Sequence, residues 1–304
     1  MPMQVPLGHF CLALAVVAVW GSNFVVIKLG LGSLPPLLFA TLRFGFAFVP
    51  AALFLKRPPV PLRELAAYGV LIGAGQIGLM YMAIGKDISP GLASLVVQSQ
   101  VFFTIALSAR AAREPLHAYH GVALVLASAG LVVIAMHIDA TTTPLGLLLV
   151  LGAAFAWSLG NMVAKRAAGV NMLGYMVWSS AFAVPPLLLL SLLLEGPARM
   201  GAALSGAGAQ TWAVVLWQSL GNTLFGYGAW AFLLARHAAA NVVPLALLVP
   251  VFGMGASAFW LHEPLPPWKL CAATLVMAGL SVNMLWPRHL ERRAQRACTR
   301  TRPS

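Results

Sequence analysis

Ten long apolar runs constrain the fold of this chain more than any other feature of its sequence. Each contains about 20 residues, the length of helix needed to cross the hydrocarbon core of a bilayer. The runs are continuous and lack the apolar–polar alternation of membrane β-barrels. We therefore predict an all-α integral membrane protein with ten transmembrane helices. The predicted spans are 8–31, 35–55, 66–85, 91–111, 119–137, 144–165, 173–194, 211–233, 239–261 and 267–286.

The low content of charged residues excludes a soluble protein. Only 9% of the 304 residues are charged, against roughly 25% in soluble domains. The net charge of +12 is also typical of nucleic-acid-binding proteins, but the basic residues lie between the apolar runs and in the C-terminal tail. We therefore expect membrane lipid around the chain and no nucleic-acid partner.

The N-terminal run and the cysteines carry no sign of processing or metal binding. The first run is too long for the apolar region of a signal peptide and includes Trp20 and Asn23, so we interpret it as a membrane helix. Cys11, Cys271 and Cys298 are odd in number and have no CxxC spacing. We expect no disulfide framework, no metal site and no cofactor.

The distribution of Lys and Arg predicts the orientation in the membrane. With a cytoplasmic N-terminus, fourteen of the 19 basic residues fall in cytoplasmic loops or the tail, and Arg43 lies within the second span. Positive residues favour the cytoplasmic side, so we predict that both termini are cytoplasmic. The four basic residues left outside are Lys28, Lys86, Arg199 and Lys269.

The two halves of the chain repeat a polar pattern within apolar helices. Trp20, Asn23 and Lys28 recur in the same order as Trp157, Asn161 and Lys165. A shift of 149 residues also superposes Glu114-Pro115-Leu116 on Glu263-Pro264-Leu265, Phe103 on Phe252 and Gly130-Leu131 on Gly279-Leu280. Five helices per copy is an odd number, so the second copy must be inverted in the membrane. We predict a first repeat at 8–137, an inverted second repeat at 144–286 and a basic cytoplasmic tail at 287–304.

Several motifs resemble a known family. They are Trp20-Gly21-Ser22-Asn23-Phe24, Leu42-Arg43-Phe44, Gly91-Leu92-Ala93-Ser94-Leu95 through Gln98 and Gln100, and the two Glu-Pro-Leu helix ends. They resemble the ten-helix EamA-type branch of the drug/metabolite transporter superfamily. Within it, 93–100 and 244–251 are most similar to the O-acetylserine/cysteine exporters. The resemblance implies a bacterial inner-membrane transporter that exports amino acids or cysteine-pathway metabolites, as a monomer or weak homodimer.

Twelve residues within the predicted spans are candidates for binding a small-molecule substrate. A mid-helix Trp either fills a gap between helices or forms a wall of the pathway, and an Asn either joins two helices or hydrogen-bonds the amino or carboxyl group of a solute. The candidates are Trp20, Asn23, Arg43, Gln76, Tyr81, Gln98, Gln100, Trp157, Asn161, Gln218, Asn222 and Tyr227.

Helical phase separates some of these candidates. Gln98 and Gln100 are about 200° apart on an α-helix, so only one can face the pathway while the other bonds a neighbouring helix. Gln218 and Asn222 share a face, and Tyr227 lies about 180° from Gln218.

Arg43 is the most costly group to place in the membrane. It either snorkels or bonds carbonyl groups of a neighbouring helix, or it gives the outer half of the pathway a positive potential that attracts a carboxylate. Lys28 would add to that potential.

The acidic residues do not indicate proton coupling. All seven Asp and Glu residues fall in loops, the tail or helix ends, whereas proton-coupled carriers commonly use an intramembrane acid or His. We expect downhill transport without obligate proton coupling, and structural roles for Glu114 and Glu263. The sequence has no Walker A loop and no hydrolase constellation, so we expect neither ATP-driven pumping nor an enzyme. Alternatives are transport of another metabolite or drug, or a non-transporting membrane scaffold.

Overall fold

The computed structural model describes residues 6–111, 117–138, 141–167, 169–237 and 239–300, and within these ranges the chain contains helices and no extended sheet. Six of its long helices are regular over most of their length. They are α1 Leu7–Leu31, α2 Pro36–Ala52, α5 Ala118–Ala135, α6 Pro144–Ala164 with a 3-10 turn Lys165–Ala167, α7 Met172–Leu194 and α10 Pro267–Arg300.

Four further long helices change their winding partway. α3 joins Leu62–Val70, the π segment Leu71–Gly78 and Leu79–Lys86. α4 joins Pro90–Val96, the 3-10 turn Val97–Ser99 and Gln100–Ala111. α8 joins Ala209–Leu216, the π segment Trp217–Phe225 and Gly226–Arg236. α9 joins Ala239–Val242, the 3-10 segment Val243–Leu248 and Val249–Leu261.

Eight helices in the described part of the chain are long and apolar enough to cross a membrane. The protein is therefore a multi-pass membrane protein, as predicted. The second predicted span, 35–55, is apolar but shortens to the 17 residues Pro36–Ala52. The eighth contains several carboxamides, such as Gln218 and Asn222, which lower its mean hydropathy. A total of ten crossings stays a prediction.

Two segments outside the predicted spans are helical. Residues 197–205 lie in a region that reads as a Gly/Ala-rich loop, but they form a short helix, Pro197–Ser205. Alanine favours helix strongly, and proline is well tolerated at the first helical position. The predicted tail at 287–304 is helical as far as Arg300, because α10 continues past its membrane-length part.

Proline determines where many of these helices begin. Pro36, Pro90, Pro144 and Pro267 each occupy the first helical position, where the missing N–H is not needed and the fixed φ suits a helix. The apolar runs therefore start at residues readable directly from the sequence.

Side chains join the helices at both ends of the bundle. At the end that we call the Glu195 end, the Glu195 carboxylate accepts hydrogen bonds from the backbone N–H groups of Leu37 (2.6 Å) and Leu38 (3.0 Å) in the first turn of α2. At the opposite end, the His9 end, the His9 Nδ1 and His237 Nε2 atoms lie 2.7 Å apart, which connects the start of α1 to the residue after α8.

Helix packing follows a recurring pattern. α1 packs on α8 and α9, and α6 packs on α3 and α4. α5 packs on α10, where a Cβ at Gly130 would lie 2.7 Å from Val276 and a Cβ at Gly279 would lie 2.6 Å from the Ala123 carbonyl oxygen. Both glycines are therefore needed for this close approach. Gly130 of α5 packs against α10, and Gly279 of α10 packs against α5.

Candidate functional site

Arg43 is buried at a junction of α2, α3 and α8, with 3% of its surface exposed. Its Nη1 donates to the Tyr81 hydroxyl (3.0 Å) and to Gln218 Oε1 (2.9 Å), and the Tyr81 hydroxyl donates to the same Gln218 oxygen (3.1 Å). Ser219 Oγ donates to the Arg43 carbonyl at 3.0 Å. We call Arg43, Tyr81 and Gln218 the arginine cluster.

This geometry corrects the first interpretation of Arg43. The guanidinium group does not snorkel, and its hydrogen-bond partners are side chains rather than backbone carbonyls. Among the described residues these partners are uncharged, so a full positive charge is held inside the bundle by a phenol and an amide. Lys28 bonds another part of α3: its ammonium donates to the carbonyls of Ile84 (2.9 Å) and Gly85 (3.1 Å) at the end of that helix.

The arginine cluster is built next to two π segments. Gln76 lies in Leu71–Gly78 and Gln218 lies in Trp217–Phe225. A π segment bonds backbone groups five residues apart, and such segments frequently occur at functional sites. The Thr223 hydroxyl donates to the Gln218 carbonyl at 2.9 Å, also five residues back, and so supports the wider turn.

Trp20 packs against α8 at the second π segment. Its Nε1 donates to the Asn222 carbonyl at 3.3 Å, and its ring lies 5.6 Å from Tyr227 and 5.2 Å from Trp230 between ring centroids. A Cβ on Gly226 would lie 2.4 Å from Trp20 Nε1, so only glycine permits this approach. We call Trp20, Tyr227 and Trp230 the aromatic cluster.

The predicted separation of Tyr227 from the face shared by Gln218 and Asn222 stays a prediction. Trp20 contacts the backbone carbonyl of Asn222 and the ring of Tyr227, and a backbone carbonyl does not show where the Asn222 side chain lies. The π segment changes the angle per residue between these positions. Trp230 was not among the predicted residues, although its position three residues after Tyr227 places it on a neighbouring part of the same helix surface.

Gln100 and Asn161 form a second polar contact, between α4 and α6, which we call the amide pair. Asn161 Nδ2 donates to Gln100 Oε1 at 3.0 Å, and Thr104 Oγ1 donates to the Gln100 carbonyl at 2.8 Å. Gln98 is buried on the adjacent 3-10 turn. Trp157 is partly buried and packs against the apolar core.

Five buried polar atoms on the helices that carry the arginine and aromatic clusters have no hydrogen-bond partner among the described residues. Each such atom costs about 1–3 kcal/mol when left unsatisfied. Oxygen and nitrogen atoms both occur in the set, so a bound polar molecule would meet both acceptors and donors. The acceptors are Asn23 Oδ1, Gln76 Oε1 and Asn222 Oδ1, and the donors are Arg43 Nε and Gln218 Nε2.

Other unpaired hydroxyl groups lie outside these clusters. They belong to Ser99 on α4, Tyr175 and Ser179 on α7, and Ser257 on α9. They are spread over three helices and include no charged or amide group.

The acidic residues whose contacts are described lie at helix ends. The Glu263 carboxylate accepts from Ser89 Oγ, from the Gly91 backbone N–H (3.0 Å) and from Lys269 Nζ (2.8 Å), so it anchors the start of α4. Its sequence counterpart Glu114 lies outside the described residues. Glu195 anchors the start of α2 in the same way.

Comparison with known proteins identifies the chain's relatives. The model of the EamA-like transporter family matches residues 8–136 and again residues 144–285. Over 283 residues the chain is 41% identical to a protein of Salmonella typhimurium and 38% identical to one of Escherichia coli, both named "Probable amino-acid metabolite efflux pump". Each alignment covers 90% of this chain and 93% of the relative.

The fold also matches a solved structure. A crystal structure superposes with a TM-score of 0.65 at 19% identity, covering 93% of this chain and 98% of that one. This likeness supports the fold alone. The resemblance drawn from the sequence motifs is confirmed by the family match, and the chain belongs to the EamA-like transporter family.

Proposed function

We propose that this protein exports amino acids or cysteine-pathway metabolites, such as cysteine and O-acetylserine, by alternating access. The two relatives at about 40% identity carry names that refer to amino-acid metabolite efflux. The observation that carries the proposal is the group of unpaired buried donors and acceptors around Arg43, Gln218 and Asn222. Amino acids have both a carboxylate and an ammonium group, and these need both kinds of partner.

The proposed pathway runs between the arginine cluster and the aromatic cluster. Asn23, Gln76 and Asn222 contribute amides between them, and Gln98 contributes another from α4. The amide pair would control how α4 and α6 move together, with Trp157 as an apolar wall. Each of these side chains lies on a long helix and is buried or partly buried.

The proposed architecture has ten transmembrane helices in two inverted five-helix repeats, at 8–137 and 144–286. It is supported by the two separate matches to the family model, at 8–136 and 144–285. It is also supported by the π segments of α3 and α8 and the 3-10 segments of α4 and α9, which occupy corresponding places in the two halves. The reciprocal glycine contacts of α5 and α10 agree with the same relation.

We propose a bacterial inner-membrane location with both termini cytoplasmic. In that orientation the Glu195 end faces the periplasm and the His9 end faces the cytoplasm. Arg43 is seven residues from the start of α2 at Pro36, which places the arginine cluster in the outer half of the membrane. The aromatic cluster then lies toward the cytoplasmic side.

Counterflow in proteoliposomes tests this function. Vesicles loaded with unlabelled cysteine or O-acetylserine should accumulate the labelled solute, and a wider panel of amino acids and unrelated metabolites should show weaker uptake. Trp20→Ala and Asn161→Ala should lower uptake at least about tenfold. Each variant loses a hydrogen bond between two helices that, in the proposed mechanism, move relative to one another. Phe259→Ala is the matched control, since that side chain is 74% exposed on α9. Wild-type vesicles that exchange none of the amino-acid compounds would contradict the proposal.

A further inference from the structure

The two halves of the chain carry the same amide–tyrosine pair. Gln76 precedes Tyr81 by five residues, and Asn222 precedes Tyr227 by five residues. The π segments that contain the two amides begin at Leu71 and Trp217. One shift of 146 residues therefore superposes both segments and both pairs, so Tyr81 and Tyr227 occupy corresponding positions.

The two tyrosines have very different surroundings. The Tyr81 hydroxyl bonds Arg43 and Gln218, whereas the Tyr227 ring packs beside Trp20, which also contacts Trp230. The asymmetry arises in the sequence of α2 and α7. The shift of 137 residues that superposes Trp20 on Trp157 makes Ser180 the counterpart of Arg43 in the second half. The Ser180 hydroxyl donates to the Met176 carbonyl of its own helix at 2.8 Å.

The proposed pathway therefore has a cationic part at Arg43 and an aromatic part at Trp20, and the Arg43 charge also acts on Tyr227. A carboxylate strongly stabilises a buried arginine, because its two oxygens match the planar fork of the guanidinium group. The described partners of Arg43 are neutral, its Nε is unpaired, and Gln218 Nε2 beside it is a second unpaired donor. These groups can bind a carboxylate that replaces the Gln218 oxygen at the guanidinium group.

The unpaired acceptors lie on helices that carry members of the two clusters, with Asn23 on α1, Gln76 on α3 and Asn222 on α8. Asn222 is four residues after Gln218, and Gln76 is five residues before Tyr81. An ammonium group has three donors and no acceptor. The oxygens of Asn23, Gln76 and Asn222 can satisfy it.

We infer that the site binds an α-amino acid in one fixed orientation, with its carboxylate at Arg43, its ammonium group at these three amides and its side chain toward the aromatic cluster. The inference rests on the proposed function and deepens it. Arg43 then determines that the solute must have a carboxylate, and Trp230 limits the size of its side chain.

Three matched solutes test the carboxylate position. They are cysteine, cysteamine, which lacks the carboxylate, and 3-mercaptopropionate, which lacks the ammonium group. Inhibition of labelled cysteine counterflow is measured under reducing conditions. With the wild-type protein, each analogue should compete at least about tenfold more weakly than cysteine, the equivalent of one charge-assisted contact.

Arg43→Gln should raise the half-saturating concentration of cysteine at least about tenfold and leave the inhibition constant of cysteamine nearly unchanged. The matched control is Arg199→Gln, which removes an exposed positive charge at the Glu195 end. Tyr81→Phe removes only the hydroxyl group beside Arg43. It should weaken the binding of cysteine, but not that of cysteamine, by a few fold. If Arg43→Gln does not fold, Tyr81→Phe replaces it as the test.

Trp230→Ala tests the position of the solute's side chain at the aromatic cluster. It should improve competition by S-benzylcysteine relative to cysteine, while the ratio between cysteine and cysteamine stays as in the wild type. Equal competition by cysteine and cysteamine in the wild type would overturn the inference and leave export of amino-acid compounds intact. The inference would also be overturned if Arg43→Gln weakened the binding of cysteine and of cysteamine equally. A wild-type protein that exchanges no cysteine, O-acetylserine or other amino acid overturns the proposed function and this inference together.

Discussion

At the scale of single residues, buried amides join helices of opposite halves of the chain. Gln100 and Asn161 connect α4 to α6, and Gln218 connects α8 to α2 and α3. Hydrogen bonds of this kind inside membranes contribute about 0.6–2 kcal/mol each. They hold a particular arrangement of helices without preventing a second one.

Gln98→Leu and Gln100→Leu should have unlike effects. Gln100→Leu leaves the Asn161 amide without its partner and should destabilise the fold by about 1 kcal/mol, visible as a lower melting temperature in detergent. Gln98→Leu should instead raise the half-saturating solute concentration, because Gln98 is the member of the two that does not bond α6. Equal and complete loss of transport from both variants would contradict this assignment.

The sequence identified most of the polar residues but few of their contacts. Arg43 stands out in any sequence because a charge within an apolar run is costly. Its partners Tyr81 and Gln218 lie 38 and 175 residues away, so no local pattern connects them. Depth alone also does not reveal that the Lys28 ammonium group bonds the carbonyls at the end of α3.

At the scale of helices, prolines at the first helical position and the lengths of the apolar runs predict most elements. They do not predict changes in helical winding. Hydrophobic periodicity assumes 3.6 residues per turn, so the π segments Leu71–Gly78 and Trp217–Phe225 cannot be read from it. The angle between Gln218 and Tyr227 is therefore not that of a regular α-helix. The short helix Pro197–Ser205 was missed because its Gly/Ala-rich surroundings resemble a loop.

Gly279 should be essential to the contact between α5 and α10. Gly279→Leu would force a side chain into the Ala123 carbonyl, since even a Cβ would lie 2.6 Å from it. We expect a destabilisation of about 1–3 kcal/mol, typical of overpacking, measured by thermal unfolding in detergent.

Gly255→Leu is the matched control for this substitution. A Cβ at Gly255 meets nothing within 4 Å, and the change in helix propensity is the same at both positions. Equal melting temperatures for the two variants would show that the α5–α10 contact is looser than described.

At the scale of the whole molecule, both ends of the bundle are held by side-chain contacts. Glu195 joins α7 to α2 at one end, and the pair of His9 and His237 joins α1 to α8 at the other. The two polar centres, the arginine cluster and the amide pair, lie between these ends. In the proposed architecture, solute binding can therefore act on helices that reach both ends of the bundle.

The proposed orientation predicts where reporters are active. Alkaline phosphatase fused after Ser304 should be inactive, and a fusion in the connection near Gly208 should be active, because basic residues favour the cytoplasmic side. Green fluorescent protein at the same two positions should give the opposite result. Active phosphatase at Ser304 would contradict the orientation.

The central claim is that a solute shifts the bundle between states open at opposite ends. Pulsed electron resonance on spin labels measures this directly in a background without cysteines. One label pair, at Ser33 and Ser205, reports the Glu195 end, and the other, at Leu53 and Arg236, reports the His9 end; all four positions are exposed. Saturating O-acetylserine, which has no thiol to exchange with a disulfide-linked label, should lengthen one distance and shorten the other. Distances that both stay unchanged, or that both move in the same direction, would contradict alternating access.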